Sequence, residues 1–257
     1  MTVLSYRAHP AITKAAFVAE MKAHAAADRI VSGHYWIGGT GCAVGCGVQS
    51  IMTLNGPYIA GYGDHAAHAA ALGIPVWLSL VQDALFEGLR PPGQQAFPVK
   101  FALALPDGAD LSGLYAAWMP WVLREIALPA AGRVSGACAV IERVAAGIET
   151  DWVTDDQDAA RTAADAASLI YGGVDSWYAI RAAAFAAGAV AGGAVRDAAS
   201  SGARANIATT DAAAAAAQIG ATSRGIIATR NAAYVRMANK LLTLMAACPV
   251  VAVVPAH

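Results

Sequence analysis

The chain has 257 residues, of which 57% are hydrophobic and only 14% charged, and its formal net charge is −1. That length can bury a core without disulfides or metals, and the lack of a basic surplus argues against nucleic-acid binding through phosphate neutralisation. Much of the apolar share is alanine, the best helix former. The uncharged Ala-rich run Ala182–Val195 is shorter than the roughly 17–25 residues a spanning helix needs, so no membrane segment is expected.

The N-terminal stretch MTVLSYRAHPAITK has no continuous apolar core of the kind a signal peptide carries. The chain is therefore read as cytoplasmic. Its four cysteines, Cys42, Cys46, Cys138 and Cys248, form no evenly spaced framework. Cys138 and Cys248 read as small buried hydrophobes.

Helical periodicity dominates from the start. A first helix is predicted over residues 11–31, with Phe17, Val18, Met21 and Ala25 inward and His24 placed to pair with Asp28 at i,i+4. A glycine-rich connection, residues 33–63, has no clear period, and loops of this length are often functional. A short helix is expected to begin in it near Cys42.

Asp64 caps a helix that stops at Gly73. Pro75 opens the next, whose stripe is Trp77, Leu78, Val81, Leu85 and Leu89. Asp83 and Glu87 share its other flank; two carboxylates at i,i+4 can serve acid/base or metal chemistry, but with no Glu-x-x-His motif beside them they read as a solvated helix face. The stretch RPPGQQAFP reads as a break. Asp110 or Ser112 opens a further helix that Pro120 is expected to kink, and another covers residues 137–148.

An alanine-rich half follows, with helices expected over 155–171, 175–200, 209–219 and 223–247 and breaks at Gly172-Gly173 and Gly192-Gly193. Asp211 reads as the cap of the tract DAAAAAAQ. The last helix aligns Ile227, Tyr234, Met237, Leu241, Leu244 and Cys248 on one face. PVVAVV at the end reads as a short strand or extended tail. The fold predicted is mainly α: one compact multi-helix bundle over 1–257, softly divided into 1–150 and 151–257. The Ala-rich faces suit self-association into a homo-oligomer.

The stretch HYWIGGTGCAVGCGVQS, followed by DHAAHAAALGIPVWLSLVQDALFEGL, resembles an uncharacterised bacterial and phage protein family. The family carries a GCAVGC turn, here Gly41 to Cys46, then DH at Asp64-His65, LGIP at Leu72 to Pro75 and FEGL at Phe86 to Leu89. The resemblance implies no activity. Members often have a histidine shortly after the second cysteine; this chain has Gln49 there, with an insertion before Asp64.

The same stretch supplies the candidate site. A glycine-rich backbone running into a helix N-terminus offers N–H groups to an anion. The sharpest expectation is non-catalytic binding of a small anionic or nucleotide-like ligand. His34, Tyr35, Trp36, Gly41, Cys42, Gly45 and Cys46 would line it, with Trp36 as the stacking face.

A thiol enzyme is the second reading. Its nucleophile would be Cys42 or Cys46, activated by the helix N-terminus. His34 or His65 would be the base, and Asp64 or Asp83 would orient it. Cys42, Cys46, His65 and His68 could supply a Cys2His2 zinc set, but zinc turns favour CxxC over the CxxxC found here. No GK[ST] or βα pattern accompanies the glycines, so no cofactor and no metal is assigned. The remaining reading is a structural or interaction module in which the glycines serve tight packing.

Overall fold

The computed structural model describes residues 4–131, 135–150, 182, 208–213 and 223–252. The chain is mainly helical. Among the described residues, β-structure is limited to isolated bridges. It divides into two compact units, Met1–Leu114 with Asn239–His257, and Tyr115–Ala238.

In the first unit, α1 runs Lys14–Ala26. Thr13 caps it, its hydroxyl accepting the Ala16 amide at 3.2 Å, which satisfies an otherwise orphaned donor. The helix ends before the predicted residue 31. Asp28 takes a left-handed φ of 53°. Asp28 and Arg29 then donate back to the carbonyls of Ala25 and His24, which closes the last turn in a Schellman arrangement. Asp28 therefore does not pair with His24, whose ring nitrogens are buried without a hydrogen-bond partner.

Next, α2 (Ala43–Thr53) is the hub of this unit, packed against α1, α3 and α4. Its Val44, Cys46, Val48 and Ile51 are fully buried. α3 (His65–Leu72) follows the predicted signals: the Asp64 carboxylate accepts the Ala67 amide at 2.9 Å, and Gly73 ends the helix at φ 67°. α4 (Val76–Gly88) starts directly after Pro75 and buries Leu78, Val81 and Leu85; Trp77, predicted in that stripe, is half-buried.

The stretch predicted as a break is instead the start of α5 (Gly93–Ala104). Pro92 and Gly93 lie at its N-terminus, where no helical amide bond is needed. Gln94, Phe97 and Phe101 then form a buried stripe, and the Gln94 side chain donates to the Phe86 carbonyl at 3.0 Å. At the other end of the chain, Pro249–Val251 pairs with Gly108–Asp110. The Asp110 amide donates to Pro249 at 2.9 Å and the Val251 amide to Gly108 at 3.0 Å.

In the second unit, α6 (Leu114–Val122) contains Pro120 and passes into a π-helical turn at Leu123–Ala127. Proline lacks the amide that keeps the regular ladder, and a wide turn is a common result. α7 (Ser135–Glu149) buries Ile141, Val144 and Ile148. Arg124 spans Glu142, at 2.9 Å, and Glu149 on its exposed side.

The last helix, α8 (Ser223–Ala246), buries Tyr234, Met237 and Leu241 as predicted. Ile227, predicted inward with them, is 49% exposed. Asp211 lies inside the helical stretch 208–213 and so does not cap it. The breaks at Gly172-Gly173 and Gly192-Gly193, and the helices predicted over 155–171 and 175–200, lie almost wholly outside the described residues. No single described helix is long and apolar enough to cross a membrane.

Candidate functional site

The glycines of the GCAVGC turn are used for close approach. The loop after α1 lays the backbone of His34 and Tyr35 across the start of α2. A Cβ on Gly41 or Gly45 would sit 1.9 or 1.5 Å from the Tyr35 carbonyl oxygen. On Gly47 it would meet His68 Nε2 at 2.6 Å. Real Cβ atoms do not come so close to backbone, so Gly41 and Gly45 exclude every other residue type as the chain now runs, while at Gly47 the His68 ring would have to shift.

The backbone donors of the stretch are engaged within the protein. The Gly41 amide donates to Arg29 and that of Cys42 to His34, both at 2.9 Å, and that of Cys46 to Cys42 at 2.9 Å. The Gly45 amide donates to Cys42 Sγ at 3.4 Å. Cys42 is therefore the cap of its own helix. Four of the amides expected to meet an anion, those of Gly41, Cys42, Gly45 and Cys46, thus have partners within the protein.

Cys42 faces acid instead. Its Sγ, a carboxylate oxygen of Asp83 and one of Glu87 lie within 4.8 Å of one another. The two acids are one turn apart on α4, and α4 packs on α2. The cluster runs from core to solvent: Cys42 is 2% exposed, the Asp83 side chain 15%, and Glu87 is open.

Each group is fixed differently. Glu87 accepts the Gly33 amide at 3.2 Å. Asp83 Oδ2 faces His65 Nε2 at 3.3 Å, and the other His65 nitrogen meets the Gly63 carbonyl at 2.8 Å. Asp83 Oδ1 is buried and receives no N–H or O–H donor.

Burial, then the charge of Asp83, pushes the Cys42 thiol well above its usual range, although the Gly45 and Val44 amides pull the other way. This reverses the expectation that a helix N-terminus would favour its thiolate: desolvation and a neighbouring carboxylate outweigh two backbone amides. Burial also raises the Glu87 carboxyl. Cys46 is turned away, its thiol donating to the Gly41 carbonyl at 3.3 Å and pushed up to about 12 by burial.

The other predicted residues are placed as follows. His34 Nε2 meets Thr40 Oγ1 at 3.1 Å. Tyr35 stands edge-on to His65 with ring centroids 5.7 Å apart. Trp36 stacks on Tyr62 at 5.9 Å and meets the His24 ring edge-on at 5.4 Å, so protein groups already occupy its predicted stacking role. Asp64 serves as a helix cap; the acid that faces His65 is Asp83. His68 is fully buried, Nδ1 against Ser79 Oγ at 2.9 Å, and burial lowers it to about 3.

Gln49 bonds Thr53 and Tyr62. The Cys42–Cys46–His65–His68 set is not assembled; among the described residues the converging His, Cys, Asp or Glu group is Cys42–Asp83–Glu87. The sequence had placed Asp83 and Glu87 on a solvated flank. Their i,i+4 spacing was the visible signal, and the packing of α2 on α4 gives it its target. No protein-family model, curated protein or solved structure matches the chain.

Proposed function

We propose that the chain binds a small cationic ligand, without turning it over, where the start of α2 meets α4. One observation carries this reading: a cysteine sulfur and two carboxylates converge within 4.8 Å at a point that opens to solvent through Glu87. Two carboxylates held partly buried beside a thiol favour a positive charge among them. The ligand's sign is thus opposite to that expected from the glycine-rich backbone. A thermal-shift panel tests it. Divalent metals or polyamines should raise the melting temperature of the wild type and do so less for Glu87→Gln. A shift with nucleotides or inorganic phosphate, and none with cations, would overturn the reading.

Thiol chemistry is the second reading, favoured by the position of Cys42 at a helix N-terminus beside the Asp83–His65 pair. A buried, protonated thiol is a poor nucleophile. Under the binding reading, iodoacetamide at neutral pH labels the half-buried Cys138 and Cys248 before Cys42. Fastest labelling at Cys42, checked by peptide mass mapping, would favour the enzyme.

A further inference from the structure

The geometry points to a divalent transition-metal ion of the zinc class as the cation, held by Cys42 Sγ and by carboxylate oxygens of Asp83 and Glu87. This inference rests on the cation-binding reading above and narrows it.

The donor set is the first reason. A sulfur with two carboxylate oxygens suits a borderline ion such as Zn²⁺ better than Mg²⁺ or Ca²⁺, which take oxygen ligands. An ammonium group would gain from the carboxylates but little from the sulfur. The spacing is the second reason. Bonds of about 2.0–2.3 Å at tetrahedral angles put ligand atoms roughly 3.5 Å apart. The three atoms here, within 4.8 Å of one another, reach that with small side-chain rotations.

A third observation concerns Asp83. One carboxylate oxygen faces His65 at 3.3 Å, the other is buried with no N–H or O–H donor, and the carboxylate's remaining neighbour is the Cys42 thiol. When that thiol gives up its proton to a metal, the same cation would satisfy the buried carboxylate oxygen. His65 is itself fixed through its second ring nitrogen by the Gly63 carbonyl. It is a positioning residue for Asp83, the role that outer-shell groups play around metal ligands.

The ligands also stand on packed helices and not on a loop, Cys42 as the cap of α2 and the two acids on α4. Such placement holds geometry better than a loop would. Three protein ligands leave a fourth position on the side of Glu87, which is open to water. On binding, the S–H bond of Cys42 breaks, a sulfur–metal bond forms, and the proton passes to solvent.

Cobalt(II) titration of the full chain, stripped with a chelator, is the test. Binding should produce a thiolate-to-cobalt charge-transfer band in the near ultraviolet. Cys42→Ser should remove the band. Glu87→Gln keeps every cysteine and alters an exposed side chain, so it reports even if the serine variant fails to fold. It should weaken cobalt affinity tenfold or more, and His65→Asn should weaken it by about 10–100-fold. Cobalt binding with no charge-transfer band, a band that survives in a folded Cys42→Ser protein, or unchanged affinity in Glu87→Gln would overturn the metal assignment. A wild type that ignores cobalt and zinc but is stabilised by spermidine would overturn it and leave the cation reading standing. A wild type that responds to neither would end both.

Discussion

The glycine seam of α2 and its N-terminal end meet their neighbours by opposite means. Along the seam, Gly45 and Gly47 give up side chains so that the Tyr35 backbone and the His68 ring can lie close. At the end, Cys42, Asp83 and Glu87 keep side chains that bring two carboxylates beside a thiol. The seam is steric, and the His68 Nε2 that it encloses has no hydrogen-bond partner. The end is electrostatic and shifts two ionisable groups, Cys42 and Glu87, upward. Strain of that second kind does nothing for folding, and its concentration at a solvent-facing point is what marks a functional candidate.

The contrast can be broken most forcefully at Gly45. Gly45→Ala puts a Cβ 1.5 Å from a backbone oxygen that cannot swing aside. It should cost on the order of 4 kcal/mol or more, seen as a collapsed thermal transition by circular dichroism. A near-wild-type melt would show that the loop over α2 is free to lift.

Next comes the partner across the seam. His68 is held far below an unfolded histidine, at about 3. Between roughly pH 6.5 and 3 the unfolded chain therefore binds the extra proton, and stability falls as pH falls. The slope from one such proton is at most about 1.4 kcal/mol per pH unit. His68→Asn can keep the Ser79 contact but cannot titrate, so urea midpoints across this window should lose that share of the slope.

Away from the seam, Gly93 is dispensable. Gly93 begins α5 with nothing within 4 Å of an added Cβ. Gly93→Ala should be neutral or stabilise by about 0.4–1 kcal/mol, measured by the same urea transitions. The smallest effect belongs to the acid end. Glu87→Gln, without added cation, should raise stability by no more than about 0.5 kcal/mol, because solvent screens an exposed charge. Saturating cation should then favour the wild type, reversing the order.

Elements with local punctuation could be read from the sequence. Asp64 and Gly73 bracket α3, and Tyr234, Met237 and Leu241 line α8, because caps and stripes are written within a few residues. The end of α1 was missed because an aspartate, and not a glycine, takes the left-handed turn at Asp28. α5 was missed because a Pro-Gly start is also how a break is spelled. Ile227 misled because alanine-rich helices offer several nearly equivalent faces. Cys42 and Asp83 were both visible as candidates. Their meeting was not, since it depends on α2 packing against α4 and on Gly47 leaving His68 room to bury.

One consequence of the division into units concerns the order of synthesis. The first unit is written in two parts, with the whole of Tyr115–Ala238 between them. A ribosome therefore releases Cys42, Asp83 and Glu87 before the inserted unit, but the segment Pro249–Val251 that pairs with Gly108–Asp110 emerges only after it. Until it arrives, the nascent first unit must wait with that edge unpaired, so its completion is timed by translation of the inserted unit.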